Sequence, residues 1–140
     1  MTAIYRHEVH VTEDLVDRNG HVNNVAYVQW MQDAAVQHAR ASGCTQVSVS
    51  LGATWVVRTH RVEYFRPAFA GDRITVLTWV ADWRKVRSLR KYKMVRGDEP
   101  APLVRAETDW VFVDVKTGRP RPIPAEIKNT LPAVENPKEP

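Results

Sequence analysis

The pattern of apolar and polar positions divides the chain into five strands, one long helix and a short terminal helix. Between residues 24 and 41, Tyr27, Met31 and Ala34 fall on one side at three- and four-residue steps. Polar residues such as Gln29 and Asp33 fall on the other side, and this spacing predicts an amphipathic helix. β-forming residues with partial alternation predict strands over residues 4–11, 54–65, 73–83, 87–96 and 103–114.

The ends of these elements carry the residue types that start and stop regular structure. Asn23 or Asn24 can cap the long helix and Gly43 can end it. A short helix is predicted to begin near Pro124, because proline is tolerated at the first helical position. The order strand, long helix, four strands, short helix predicts an α+β fold, with one helix against a mostly antiparallel five-stranded sheet.

Length and composition add limits on the class of protein. The chain has 140 residues and 44% hydrophobic content, which suits a single globular domain. We predict this domain over residues 1–131 and a mobile, proline-rich tail over residues 132–140. Cys44 is the one cysteine in the sequence, which excludes an internal disulfide and any multi-cysteine metal site.

Cellular location and cofactors can also be predicted from the pattern. Charges interrupt every apolar stretch, so no segment is predicted to span a membrane. The first residues lack the apolar core of a secretory signal, and a cytoplasmic protein is expected. His7, His10, His38 and His60 lack the spacing of metal ligands, so neither a metal nor an organic cofactor is expected.

The segment from Asp17 to Asn24 concentrates the polar chemistry of the chain. Asp17, Asn19 and His21 lie where a loop with an Asn-Gly turn signal leads into the long helix. A helix N-terminus offers unpaired N–H groups that can stabilise an oxyanion, and a carboxylate beside it can attack a carbonyl or polarise water. The alternative is structural, because Asp and Asn are also common turn and capping residues.

This segment resembles the motif that leads into the helix of hotdog-fold thioesterases. Asp17-x-x-Gly20-His21-Val22-Asn23-Asn24-x-x-Tyr27 is similar to the branch of 4-hydroxybenzoyl-CoA thioesterase and acyl-CoA thioester hydrolases. The spacing of Asp17, Asn19 and His21 also resembles that of plant acyl-carrier-protein thioesterases. Two supporting stretches are residues 62–72 and 114–124.

The resemblance implies a fold, an activity and an assembly. It implies a hotdog fold that hydrolyses an acyl- or aryl-CoA thioester and forms a homodimer or homotetramer with active sites at the dimer interface. Asp17 would be the nucleophile or general base, and His21 and Asn19 would assist. The backbone amides of Asn24 and Val25 would form the oxyanion hole.

The sequence departs from the family pattern at two places. Some members carry a histidine where this chain has Asn24, so their acid–base assignment does not transfer. The plant enzymes carry a further acidic or thiol residue after the second strand, where this chain reads Arg66-Pro67-Ala68. Glu63 is a candidate for a third catalytic residue by proximity, although a surface role for it is favoured.

Basic residues crowd the fourth predicted strand and the turn before it, and the net charge is +4. Arginine suits the geometry of phosphate groups. The resemblance implies that the nucleotide and diphosphate of coenzyme A bind at the surface, and the residues predicted to contact them are Arg58, His60, Arg87, Ser88 and Arg90. The alternative is a solvated strand whose charges prevent aggregation. A nucleic-acid site is disfavoured, because few aromatic residues lie among the charges.

The leading prediction is therefore an acyl-CoA thioesterase. Its alternatives are an acyl-carrier-protein thioesterase and a module of the same fold that binds acyl-CoA without catalysis. A hydratase of this fold is disfavoured, because its usual helix motif is absent from the sequence.

Overall fold

The computed structural model describes residues 3–136 and 138–140. Its long helix α1 lies against a five-stranded sheet, and a short 3-10 turn at Glu13–Leu15 precedes the helix. The elements in chain order are β1 (Tyr5–His10), α1 (Asn24–Ser42), α2 (Cys44–Ser50), β2 (Ala53–Tyr64), β3 (Arg73–Trp83), β4 (Arg87–Arg96), β5 (Val104–Asp114) and α3 (Ala125–Lys128). The predicted α+β class, the antiparallel sheet and the long helix are confirmed.

The sheet has the order β1-β3-β4-β5-β2, and each neighbouring pair is antiparallel. Strand β2 therefore lies at one edge although it is second in sequence. The register between β2 and β5 shifts between Val57 and Thr59, and Arg58 lies at this irregularity. The strand boundaries differ from the prediction by one residue in β1, β2 and β5, and they agree in β3 and β4.

Both ends of α1 are closed as their residue types predict. The side chain of Asn23 accepts a hydrogen bond from the backbone N–H of Val25 at 2.9 Å, which satisfies one of the free N–H groups of the first turn. Gly43 ends the helix in the left-handed conformation at φ 91°, where side chains other than glycine are disfavoured.

Helix α2 begins directly after Gly43 and is absent from the sequence prediction. Its residues, Cys44-Thr-Gln-Val-Ser-Val-Ser, include three β-branched side chains, which are weak helix formers. Contacts with the rest of the fold compensate, because Cys44 and Ser48 are buried and the indole of Trp55 donates to Ser48 Oγ at 3.1 Å. Tertiary packing therefore overrides local propensity here.

The buried side chains form two clusters along α1. The larger one surrounds the first half of the helix, with Trp30 and Met31 packed against residues of β3, β4 and β5. The smaller one lies beyond its second half, where Cys44, Phe112 and Leu131 meet. The small side chains of Ala34 and Ala35, both buried, let the helix approach the sheet closely.

Val134 and Glu139 of the C-terminal segment contact the sheet. The backbone N–H of Val134 donates to the carbonyl of Val80 at 2.8 Å. The carboxylate of Glu139 accepts from Trp79 Nε1 at 2.8 Å and pairs with Lys91 at 3.1 Å. The division into a domain and a mobile tail stays a prediction, but these contacts show how the tail can be held on the sheet.

Candidate active site

The loop before α1 folds back on itself as a narrow hairpin. The N–H of Asn23 donates to the carbonyl of Leu15 at 2.8 Å, and the N–H of Asp17 donates to the carbonyl of His21 at 2.8 Å. A bridge between Val16 and Val22 lies between these two bonds. The hairpin fixes residues 17–21 as a tight turn immediately before the first turn of α1.

Asp17 is exposed at the start of this turn. Its Oδ1 accepts a hydrogen bond from the backbone N–H of Asn19 at 2.8 Å. This bond has the local geometry in which an aspartate stabilises its own turn. The structure shows no partner for Oδ2 among the described residues, so one carboxylate oxygen is open to solvent. Oδ1 of Asp17 therefore stabilises the turn, and Oδ2 is available for chemistry. The structural and the catalytic interpretation of Asp17 are thus compatible.

His21 and Asn19 lie in the same turn, but their side chains do not contact Asp17. The ring of His21 meets Phe69 edge-on, with centroids 5.4 Å apart. Asn19 contacts Asp17 through its backbone N–H, and its side chain is exposed. The structure therefore brings the three predicted catalytic residues into one turn without a direct hydrogen bond between their side chains.

Aromatic side chains from the end of β2 and the segment after it lie beside the turn and the start of α1. The exposed members are Tyr64, Phe65 and Phe69. Tyr64 donates its hydroxyl hydrogen to the carbonyl of Asn24 at 3.1 Å and lies 5.3 Å from the ring of Tyr27. Sequence reasoning noted this stretch without giving its aromatics a role. The available signal was three aromatic residues within six positions, at the end of a predicted strand and just after it.

The two backbone amides predicted to form an oxyanion hole differ in availability. The N–H of Val25 already donates to the side chain of Asn23, because Asn23 is the helix cap and the cap occupies this donor. An oxyanion hole formed by the amides of Asn24 and Val25 stays a prediction. The structure gives the N–H of Asn24 no partner among the described residues.

The residues predicted to bind coenzyme A do not share one surface. Arg87 lies on the outer face of β4, where it pairs with Asp109 at 3.0 Å. Arg58 is exposed on the edge strand β2. His60 turns toward the interior and shares a 2.8 Å hydrogen bond with the hydroxyl of Thr108, and burial lowers the pKa of His60.

Ser88 and Arg90 lie on the inner face of β4, so their predicted surface position is wrong. The hydroxyl of Ser88 donates to the carbonyl of Asp82 at 3.0 Å. Arg90 is 5% exposed and donates to Nδ1 of His38 at 2.9 Å and to the hydroxyl of Thr78 at 3.1 Å. Side chains alternate along a strand, and the even-numbered positions of β4 are the ones that face the helix.

A metal-binding cluster and a membrane-spanning helix were both sought among the described residues. Within residues 3–136 and 138–140, no group of three or more His, Cys, Asp or Glu side chains is arranged to hold a metal ion. None of the helices in these residues combines the length and apolar character that a membrane crossing requires.

Comparison with known sequences assigns the chain to a family. The model of the thioesterase-like superfamily matches residues 9–131. An acyl-CoA thioester hydrolase, YbgC of Escherichia coli O6:H1, is 27% identical over 127 residues, which are 90% of this chain and 94% of YbgC. The palmitoyl-acyl carrier protein thioesterase of Cuphea hookeriana is 28% identical over 122 residues, or 82% of this chain. The chain spans only 29% of the length of that plant protein.

Solved structures share the arrangement of helix and sheet. The probable thioesterase YbaW of Escherichia coli superposes with a TM-score of 0.84 at 20% identity, over 91% of this chain and 96% of YbaW. Slr0204 of Synechocystis, a 1,4-dihydroxy-2-naphthoyl-CoA thioesterase, gives a TM-score of 0.80 at 19% identity, over 98% of this chain and 99% of Slr0204. These likenesses confirm the predicted hotdog fold. The match of the family model over residues 9–131 shows that the chain belongs to the thioesterase-like superfamily.

Proposed function

We propose that this protein hydrolyses acyl- or aryl-CoA thioesters, with Asp17 as the catalytic carboxylate. The observation that carries the proposal is the position of Asp17, which lies on a rigid turn directly before α1 with one oxygen free of described partners. Membership of the thioesterase-like superfamily and the likeness to an acyl-CoA thioester hydrolase support it.

Asp17 can act in either of two ways. As a general base, it takes a proton from water while the water oxygen attacks the thioester carbonyl carbon. The C–S bond then breaks, the acid is released, and the proton passes to the thiolate of coenzyme A. As a nucleophile, Asp17 attacks the carbonyl itself and expels the thiolate, and water then hydrolyses the resulting anhydride.

The start of α1 supplies the stabilising groups for the oxyanion. The N–H of Asn24 is the available donor, and the positive end of the helix adds to its effect. The N–H of Val25 can contribute only if the side chain of Asn23 releases it. His21, which contacts Phe69 beside the turn, is placed to orient the substrate or to carry a proton.

The exposed aromatic side chains beside the turn are the proposed contact surface for the acyl or aryl group. Tyr64, Phe65 and Phe69 are each more than 40% exposed. Large aromatic surfaces left open to solvent commonly mark a binding site. Arg96 lies 5.9 Å from the ring of Phe69, and its charge is paired with Asp72 at 3.0 Å.

For the coenzyme A part of the substrate we retain Arg58 and Arg87 as surface candidates. Arg58 is the more available of the two, because Arg87 is engaged by Asp109. We also propose that the substrate is a small molecule in the cytoplasm and that the protein has no nucleic-acid or membrane partner.

The edge strand β2 is the proposed surface for a homodimer. Its outer side has no neighbouring strand in the sheet, and an unpaired strand of 12 residues is a template for pairing with another chain. Val56 is an exposed apolar side chain on this strand. Pairing of two β2 strands would bury it and could lead further to a homotetramer.

A carrier-protein thioester is the second candidate substrate. The observation that favours it is the 28% identity to the palmitoyl-acyl carrier protein thioesterase of Cuphea hookeriana. The chemistry at Asp17 would be unchanged, since the two substrates carry the same thioester.

The test is thiol release from a panel of acyl- and aryl-CoA thioesters by the native protein and by Asp17→Asn. We expect hydrolysis of at least one acyl class and a loss of about 10²–10⁴-fold in the variant, which is the usual contribution of a general acid or base. Glu13→Gln is the matched control, because it removes an exposed charge nearby and should leave the rate unchanged. Cys44 adds a fixed thiol background that must be subtracted.

Other results would contradict the proposal. Hydrolysis that survives Asp17→Asn would exclude Asp17 as the catalytic carboxylate. Tight binding of a thioester without any thiol release would instead support the non-catalytic binding module. If coenzyme A esters are neither bound nor hydrolysed, the same assay with carrier-protein thioesters decides between the two substrates.

A further inference from the structure

A cavity of about 230 Å³ lies at the far end of α1 from Asp17. Its wall includes Ala35 and Ala39 of the helix. Asn24 and Ala35 are separated by about 16 Å along the helix axis, at about 1.5 Å per residue. The cavity is therefore separated, within one chain, from the turn that holds Asp17.

The lining is mostly apolar and aromatic. Trp55, Trp83 and Trp110 contribute three indole rings to it. Engineered cavities of roughly 150 Å³ are large enough to hold benzene, so this cavity has room for an aromatic ring and a small substituent. Val49 is part of the lining and is 70% exposed, which indicates that the cavity reaches the surface beside α2.

One buried cation forms part of this apolar wall. Arg90 lines the cavity, and arginine remains protonated at neutral pH. Its described partners are the hydroxyl of Thr78 and Nδ1 of His38. Because arginine can only donate, Nδ1 of His38 must accept, and the imidazole is neutral when this bond forms.

No described carboxylate neutralises Arg90. The ion pairs of the other arginines, such as Arg87 with Asp109 and Arg96 with Asp72, lie elsewhere on the sheet. Desolvation by burial lowers the pKa of Arg90, and its titratable neighbours Tyr92 and Cys44 are uncharged at neutral pH because burial raises the pKa of each. A buried charge without a counter-ion is costly, so an anion placed in the cavity would be stabilised by pairing with it.

A second donor lines the same cavity. The indole nitrogen of Trp110 is buried and makes no hydrogen bond of normal geometry among the described residues, although it lies close enough to the hydroxyl of Tyr92 to lower the pKa of that group. Buried donors are nearly always satisfied in folded proteins. An acceptor brought into the cavity by a ligand could satisfy this one.

We propose that this cavity binds a small apolar monocarboxylate of about the size of an aryl acid, with its carboxylate paired to Arg90. The three indole rings would contact its apolar body. This site is independent of the hydrolytic reaction proposed for Asp17, and it accounts for a cation that the reaction does not use.

The test is a titration followed by intrinsic tryptophan fluorescence, with phenylacetate and its uncharged match phenylacetamide as probes. We expect saturable binding of both, with phenylacetate bound about tenfold or more tightly, because hydrogen bonds to a charged group contribute about 1.5–3 kcal/mol. Arg90→Met should remove this preference. Equal affinities in the native protein, or a preference that survives in Arg90→Met, would overturn the proposal.

A second variant keeps the test decisive if Arg90→Met fails to fold. Ala39→Phe retains Arg90 and fills the cavity from a half-buried helix position, so it should weaken both probes at least tenfold, a reduction of about 1.4 kcal/mol in binding free energy. Gln32→Phe places the same side chain at an exposed position of α1 and should have no effect. Unchanged binding in Ala39→Phe would place the probes elsewhere and overturn the proposal.

Asp17→Asn separates this proposal from the proposed thioesterase activity. Phenylacetate binding should be the same in the variant and the native protein, whether or not thioesters are hydrolysed. Loss of binding in Asp17→Asn would show that the carboxylate occupies the hydrolytic centre instead, and it would overturn the assignment to Arg90.

Discussion

The two ends of α1 present opposite environments. At its start, Asp17, His21 and the aromatic side chains after β2 are exposed, and few hydrogen bonds join them. Toward its end, three tryptophans and Arg90 enclose a cavity in which the cation is 5% exposed. The same helix thus offers an open polar turn suited to water-dependent chemistry and an apolar cavity suited to a desolvated anion.

The two ends differ in how strongly water screens a charged side chain. The carboxylate of Asp17 is solvated, so its reactivity depends on position beside the helix N-terminus and on what a bound substrate excludes. The guanidinium of Arg90 is desolvated, so its interaction with an anion is strengthened by the low dielectric around it. Mutations near Asp17 should change the rate of hydrolysis, and mutations near Arg90 should change ligand binding or the free energy of unfolding.

The largest effect is expected from Met31→Ala, between the two ends. Met31 is fully buried in the larger cluster, and truncation of such a residue costs about 2–5 kcal/mol. Denaturation followed by tryptophan fluorescence and by circular dichroism should give one lowered midpoint. Gln32→Ala, at the adjacent exposed position, should change the free energy of unfolding by less than about 0.5 kcal/mol. Two separate midpoints would contradict this expectation, because they would show that the two ends of α1 belong to regions that unfold independently.

A smaller effect is expected from Asn23→Ala at the open end. Loss of the cap on the Val25 amide should lower the free energy of unfolding by about 1 kcal/mol. Urea denaturation measures this change, with Asn24→Ala as the control because it keeps the cap. An equal loss in both variants would mean that the hydrogen bond from Val25 to Asn23 contributes nothing specific.

The smallest expected effect is a pH dependence of the free energy of unfolding that arises from His60 on β2. Burial lowers the pKa of His60 below its ordinary value of 6.5. The unfolded chain therefore binds a proton at a pH where the folded protein does not, and stability falls as the pH drops through about 6.5. Urea denaturation between pH 7.5 and 5.5 should show a smaller decrease for His60→Gln than for the native protein. The exposed His10, replaced by Gln, should leave the decrease in place, and an identical slope in all three proteins would exclude His60.

Local patterns in the sequence predict most of the fold. The β-forming residues of β3 and β4 predict both strands with their observed boundaries, because residues that favour turns border them. Gly43 predicts the end of α1 correctly, since its left-handed conformation is one that glycine adopts readily. Helix α2 is missed because its β-branched residues favour a strand, whereas its stability depends on tertiary contacts such as the burial of Cys44 and Ser48 and the hydrogen bond from Trp55.

The candidate site likewise has some features that local sequence patterns predict and others that they do not. Asp17, Asn19 and His21 are predicted together because they are close in sequence and precede a recognisable helix start. The capped amide of Val25 could not be predicted, because either Asn23 or Asn24 could have been the cap. Burial of Arg90 depends on which face of β4 meets α1. The alternation separates the two faces of that strand, but it does not say which face is covered.

Gly43 has a consequence for any attempt to redesign the molecule. It ends α1 and begins α2 at φ 91°, and no described atom beyond the adjoining backbone and chain neighbours lies within 4 Å of the place where its Cβ would be. Steric room is therefore available, and what excludes an L-residue is handedness alone. A D-alanine introduced at position 43 by chemical synthesis has the mirror-image preference, so it would fit this backbone while restricting the unfolded chain. The chirality of the α-carbon at position 43 thus determines how readily the chain can turn from α1 into α2.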